Sequence, residues 1–201
     1  HLRYQTYVLK AYDPQTGESI EAHSTMLIPI KFDTIASYVK VENASQNFYI
    51  KYSIQDPGYI KNWYMVSYTK LVNGQRVALK RSRLPKNIPL KKTALNIQNP
   101  ETEDFEIFTD LGATANVISA EKRLEGITPS DTVIVSLTNI EEGYYNFLDT
   151  KRRSGGIVTS FAGEPVNLNT NVVNGYGYFT TYFPTITLLS SSQVLDLSTF
   201  Q

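Results

Sequence analysis

The chain has 201 residues, 41% of them hydrophobic, enough to bury a sizeable core in one large domain or in one domain and part of a second. Its 19 basic and 19 acidic residues cancel, so net charge points neither to a nucleic-acid binder nor to a polybasic membrane binder. Cysteine is absent, which excludes disulfides, thiolate metal sites and thiol nucleophiles.

Aromatics at 12%, with 14 tyrosines and abundant Val, Ile and Thr, favour strands over helices. No apolar run reaches the roughly 20 residues that a spanning helix needs, and the first residues carry no signal-peptide pattern. The sequence opens without methionine on a strand-like pattern, so it is expected to be a piece of a longer protein with any anchor upstream of His1.

Tyr4, Thr6, Val8 and Lys10 alternate with Gln5, Tyr7, Leu9 and Ala11, and "DPQTG" supplies a turn before "SIEAHSTMLIP" runs out again. That predicts a hairpin ending at Pro29. Residues 1-28 are expected to be the last strands of an upstream β-sandwich domain, and 29-201 a main β-rich domain. "ASYVKVEN", "NFYIKYSIQD" and "NWYMVSYTKLV" follow as strands, and Asn73-Gly74 predicts a tight hairpin joining 64–71 to 75–80. "SRLPKNIPLKKT" carries prolines and basic residues and suits an exposed connection. Less regular strands are expected near 95–97, 105–108 and 116–124.

"DTVIVSLTNI" reads as a buried strand, with Val133, Val135 and Leu137 on one face and Ile134 on the other. "IEEGYYNFLDTKRRSGG" then places Tyr144, Phe147, Leu148 and Lys151 at helical spacing, with acids first, "KRR" last and Gly155-Gly156 as a stop. One short helix near 141–153 is predicted there, despite Gly143. Residues 165–189 return to strand. Within "NTNVVNGYGYFTTYFP", Asn169 and Asn171 are expected to flank a short strand, and Asn174-Gly175 to turn. Gly177 is expected to relieve crowding on a closing strand that puts Tyr178, Thr180 and Tyr182 on one face. The fold class is all-β, an immunoglobulin-like β-sandwich with that single helix.

Chemistry is sparse. His1 and His23 are the only histidines, so a metal centre or a Ser-His-Asp relay would rest on His23, which reads more simply as an ordinary strand residue. Glu101, Glu103, Asp104, Glu106 and Asp110 lack EF-hand spacing and read as a solvated acidic loop, and "QDPGY" is first a turn. Lys80, Arg81, Arg83, Lys86, Lys91 and Lys92 have no interleaved aromatic platform for bases, so no nucleic-acid partner is expected. A hydrolase would have to draw on carboxylates such as Glu101, Asp104, Asp110, Glu141 and Glu142, whose adjacency in sequence says nothing of the separation needed across a cleft. No catalytic set, metal site or cofactor is assigned. "NGYGYF" has no helix after it to cradle a phosphate, which leaves aromatic stacking on a sugar or ring ligand. Trp63, Tyr64, Tyr176 and Tyr178 are the candidate ligand-binding residues.

"YVLKAYDPQTGESIEAHSTMLIP", "YIKYSIQDPGYIKNWYMVSY", "FEIFTD", "DTVIVSLTNIEEGYYNFLDT" and "GEPVNLNTNVVNGYGYF" occur in that order. In this the chain resembles the later two-thirds of the Bacteroidota outer-membrane lipoproteins grouped as domain-of-unknown-function family 4249. "YGYF" departs from that family's commoner small-aliphatic pattern by its aromatic bulk. The resemblance implies a lipid-anchored protein of the cell surface or periplasmic face, encoded beside a TonB-dependent receptor and accessory to nutrient capture, import or complex assembly. Its partners would be an outer-membrane transporter or other membrane-complex subunits, and the family carries over no catalytic residues. The alternative is a stand-alone glycan- or peptide-binding β-sandwich module.

Overall fold

β-Branched and aromatic residues at alternate positions set the strands, because a pleated strand sends successive side chains to opposite faces. The computed structural model describes residues 4–42, 45–58, 60–79, 105–111, 116–128, 131–154 and 169–190. In chain order the elements are β1 (Gln5–Tyr12), β2 (Ser19–Met26), β3 (Thr34–Glu42), β4 (Ser45–Gln55), β5 (Trp63–Val72) and β6 (Gln75–Ala78). They continue with β7 (Phe105–Thr109), β8 (Val117–Leu124), β9 (Thr132–Ile140), the helix α1 (Glu142–Ser154), β10 (Val172–Val173) and β11 (Thr185–Ser190). Three antiparallel sheets result: β1-β2-β10, β3-β4-β8, and β11-β9-β5-β6 with β7 also paired to β5.

The second and third sheets face each other. Phe48, Ile50, Tyr52 and Ile54 of β4 and Ile118, Ala120 and Leu124 of β8 meet Tyr64, Val66 and Tyr68 of β5 in one apolar cluster. Phe108, Val133, Val135, Leu137 and Leu189 complete it, so the all-β sandwich is the observed architecture. Each large side chain buried there contributes about 1.5–3 kcal/mol relative to exposure. The predicted faces of β9 hold: Val133, Val135 and Leu137 enter this core, while Ile134 lies on the other side of the sheet.

α1 packs on the outer face of the β5–β9 sheet over β5, β7 and the end of β9. Leu148 packs there with Met65, Ile107 and Ile140, and Trp63, Phe105, Tyr144, Tyr145 and Phe147 surround them. The Glu141 carbonyl accepts the Tyr145 N–H at 3.0 Å, so Glu141 is the N-cap and the helix proper starts one residue later than expected. Glu142 in the first turn suits the positive end of the helix dipole.

The small sheet stands apart from both clusters, none of whose members comes from β1, β2 or β10. Asp13 closes its hairpin by accepting the Gln15 N–H at 2.8 Å, and Gly17 takes a φ of 76°. β10 joins from the far end of the chain, pairing Val172 with Ala22 and Val173 with Glu21. Asn73 and Gly74 turn with φ of 50° and 77°, the paired positive values of a two-residue hairpin loop.

The expected closing strand over 178–183 is not formed, since the chain there is irregular until β11 begins. Side chains have taken the backbone groups a neighbouring strand would have used. Asn171 accepts the Phe179 N–H through Oδ1 at 2.9 Å and donates to its carbonyl through Nδ2 at 2.7 Å. Ser24 Oγ accepts the Thr181 N–H at 2.8 Å. Asn171 also abuts the short strand, as expected, but Asn174 rather than Asn169 stands at its other end. The predicted strand at 95–97, the connection at 82–93 and the glycine stop at 155–156 lie outside the described residues.

Candidate functional site

The candidate aromatics do not converge. Trp63 and Tyr64 are neighbours on β5 and therefore point to opposite faces: Tyr64 is in the sandwich core, 1% exposed, and Trp63 lies beneath α1. Tyr64 is thereby closed off from a ligand, whereas Trp63 is half-buried.

Tyr178 packs on the helix, its ring centroid 5.6 Å from that of Tyr144 and 5.5 Å from that of Phe147. Burial, and next the Glu141 carboxylate, push its hydroxyl pKa up. A Cβ on Gly143 would fall 2.2 Å from the Tyr178 hydroxyl oxygen and 3.2 Å from its Cζ, which explains a glycine inside the helix. Gly143→Ala should therefore lose about 1–2 kcal/mol despite alanine's better helix propensity, because the tyrosine ring must leave its seat. In a Tyr178→Ala background the same change should gain up to about 1 kcal/mol. Thermal denaturation of the four proteins checks it, and an equal effect in both backgrounds would refute the contact.

Tyr176 is the fully exposed one of the four, at 100% on the tip beyond β10. Gly177 after it has a φ of 117°, and nothing lies within 4 Å of where its Cβ would be. Its role is thus to supply a backbone conformation that side chains disfavour, rather than to relieve crowding.

The polar groups gather in clusters that bridge elements. At one end of the sandwich Asp56, 4% exposed, accepts the Tyr64 hydroxyl and the Asn62 amide through Oδ1, the latter at 3.2 Å. Its Oδ2 accepts the Gly58 N–H at 2.9 Å. Burial, then the bond to Asp56, hold the Tyr64 hydroxyl well above the usual phenol range. Asn62 carries the link onward, its N–H donating to Asp110 Oδ1 at 3.0 Å and its carbonyl accepting Thr109 Oγ1 at 2.9 Å. The chain bends at Gly58, which takes a φ of 72°, and Asp56 anchors it where it crosses between sheets; Tyr59 lies outside the described residues.

Between the sheets, the Tyr68 hydroxyl donates to Glu106, and Lys122 Nζ lies 3.6 Å from that carboxylate and 4.3 Å from the Tyr68 ring centroid. Burial first, then Glu106 and Tyr52, raise the Tyr68 pKa well above its ordinary value. Glu106 was expected in a solvated acidic loop. Alternation along β7 instead turns it inward beside Phe108, and the same alternation along β8 puts Lys122 in the row of Ile118, Ala120 and Leu124. A charged residue in an apolar row of period two was the signal for this pair. Glu101, Glu103 and Asp104 lie outside the described residues, as do Lys80 and the rest of the basic group.

His23 sits on β2 with Nε2 2.8 Å from Glu21 Oε1, and Lys10 Nζ is 2.9 Å from Glu21 Oε2. Hydrogen bonds from Lys10 and then His23 lower the Glu21 pKa, on a face open to water where such pairs are worth little. Glu141 accepts Ser24 Oγ at 2.9 Å and the Thr25 N–H at 2.9 Å, tying the small sheet to the start of α1. Among the described residues no group of His, Cys, Asp or Glu is arranged to hold a metal ion, and no helix is long and apolar enough to cross a membrane.

No curated protein and no solved structure matches the chain. One family model does, described as a domain of unknown function (DUF4249), over residues 3–185. That span covers nearly the whole chain, including β1 to β10 and both faces of the sandwich, and the chain belongs to the DUF4249 family.

Proposed function

We propose that this chain is a non-enzymatic outer-membrane lipoprotein of Bacteroidota, accessory to a TonB-dependent receptor in nutrient capture, import or assembly of the complex. The observation that carries this reading is a set of exposed apolar side chains on one late segment: Val173, Tyr176, Tyr182, Phe183, Ile186 and Leu188, at 43–100% exposure. Single exposed apolar residues are ordinary, whereas a series along one segment marks a contact surface. The polar clusters favour the same reading, since their carboxylates bridge strands and turns. Anchorage through a lipid on a cysteine upstream of His1 belongs to the proposal. So does the assignment of residues 1-28 to a sandwich that begins upstream, which the exposure of β1 along nearly its whole length supports.

The test is to tag the protein in its own cells, solubilise the membranes gently and identify what co-purifies. A barrel receptor recovered in constant ratio is the expected result, and a protein that always purifies alone would defeat the proposal.

The full exposure of Tyr176 favours a second reading, a stand-alone glycan- or peptide-binding module. Calorimetry against a glycan and peptide panel separates the two. Binding abolished by Tyr176→Ala, with no receptor attached, would establish the module instead.

A further inference from the structure

Residues 169–190 contain no Asp, Glu, Lys, Arg or His, in a chain where 19% of residues are Asp, Glu, Lys or Arg. Charge has been kept out of a segment that is nevertheless largely at the surface. β11 explains how its side chains divide. Thr185, Thr187 and Leu189 pair with Leu137, Val135 and Val133, so Leu189 enters the sandwich core. Ile186 and Leu188 pair with Ser136 and Ile134 on the opposite face, where they are 49% and 61% exposed. Phe183, 55% exposed, and Tyr182, 43% exposed, precede them in the irregular stretch that the Asn171 and Ser24 side chains hold in place. At about 3.3 Å per residue these four side chains fall within roughly 20 Å of one another along the chain.

We propose that Tyr182, Phe183, Ile186 and Leu188 form the surface through which the protein docks on its membrane-complex partner, and that the partner presents an uncharged apolar protein surface there. This rests on the accessory-protein reading and gives it a location. Aromatic enrichment and depletion of charge mark the centre of a protein–protein contact. A charged partner residue brought against this surface would lose water and find no opposite charge within residues 169–190, which disfavours acidic or basic partners and lipid headgroups. The neighbouring Thr and Asn side chains supply neutral hydrogen-bonding groups for the rim.

The experiment compares the tagged protein in its own membranes with Phe183→Glu/Leu188→Glu and with Val77→Glu, a control at a residue 43% exposed on β6. The double substitution should lower co-purified receptor by about tenfold or more while the melting temperature of the isolated protein stays within a few degrees. Val77→Glu should leave recovery unchanged. If the double variant does not fold, Leu188→Lys alone serves, and a photo-crosslinking residue at position 183 should join the receptor where one at 77 does not. Equal recovery from all variants would overturn the surface while leaving the accessory reading standing. No receptor with the unaltered protein would overturn both, and loss of glycan binding with receptor retained would reassign the surface to sugars.

Discussion

Asp56→Ala should cost about 3–5 kcal/mol, a large part of the roughly 5–15 kcal/mol that holds an ordinary domain together. The carboxylate is almost wholly buried and receives the Tyr64 hydroxyl, the Asn62 amide and the Gly58 N–H. Alanine removes the acceptor and leaves those donors in a space with no replacement, and each orphan costs about 1–3 kcal/mol before the loop relaxes to admit water. Asp56→Asn should fall between, because its Oδ1 still serves Tyr64 and Asn62 while its amide nitrogen faces the Gly58 N–H. Tyr64→Phe removes one donor and should cost about 1–2 kcal/mol. The double variant Asp56→Ala/Tyr64→Phe should then lose less than the sum of the two, by about 1 kcal/mol or more. Urea unfolding of the four proteins measures this, and strict additivity would mean that the two side chains do not depend on each other.

The regular part of the fold was legible because its residues repeat with a clear period. Val133, Val135 and Leu137 alternate in a run too apolar for a surface, and the helix after them shows Tyr144, Phe147 and Leu148 at three- and four-residue spacing. Asn73-Gly74 specified its own hairpin. The stretch 178–184 has the composition of a strand but does not form one, because its backbone groups are taken by side chains, those of the nearby Asn171 and of Ser24, far away in sequence. Propensity records what a segment tolerates, and here a tertiary contact decided. The same limit governs the aromatics. Tyr64, Tyr178 and Tyr176 are one residue type with one propensity, yet one is in the core, one on a helix and one in water, since burial depends on what the rest of the chain brings to each.

That distant contact also carries a testable mechanical role. Among the described residues the small β1-β2-β10 sheet shares no member with either apolar cluster, and polar bonds at Glu141 tie it to the body. Ser24, 2% exposed, donates to Glu141 and accepts from Thr181, and Asn171 Nδ2 donates to the His23 carbonyl at 2.7 Å. Glu141→Ala should free the Thr25 N–H and the Ser24 hydroxyl together, a local loss of about 2–4 kcal/mol, since bonds to a charged acceptor are worth about 1.5–3 kcal/mol each. Glu141→Gln should cost only about 1 kcal/mol, because the amide oxygen can still take the Thr25 N–H while its nitrogen donates to Ser24, whose hydroxyl can turn toward Thr181. The effect should be confined: amide exchange in β2 and β10 accelerates in Glu141→Ala, while β5 and β9 keep their protection, as expected of a separately held unit. Equal acceleration in the sandwich strands would show that the small sheet is fused to the core rather than pinned to it.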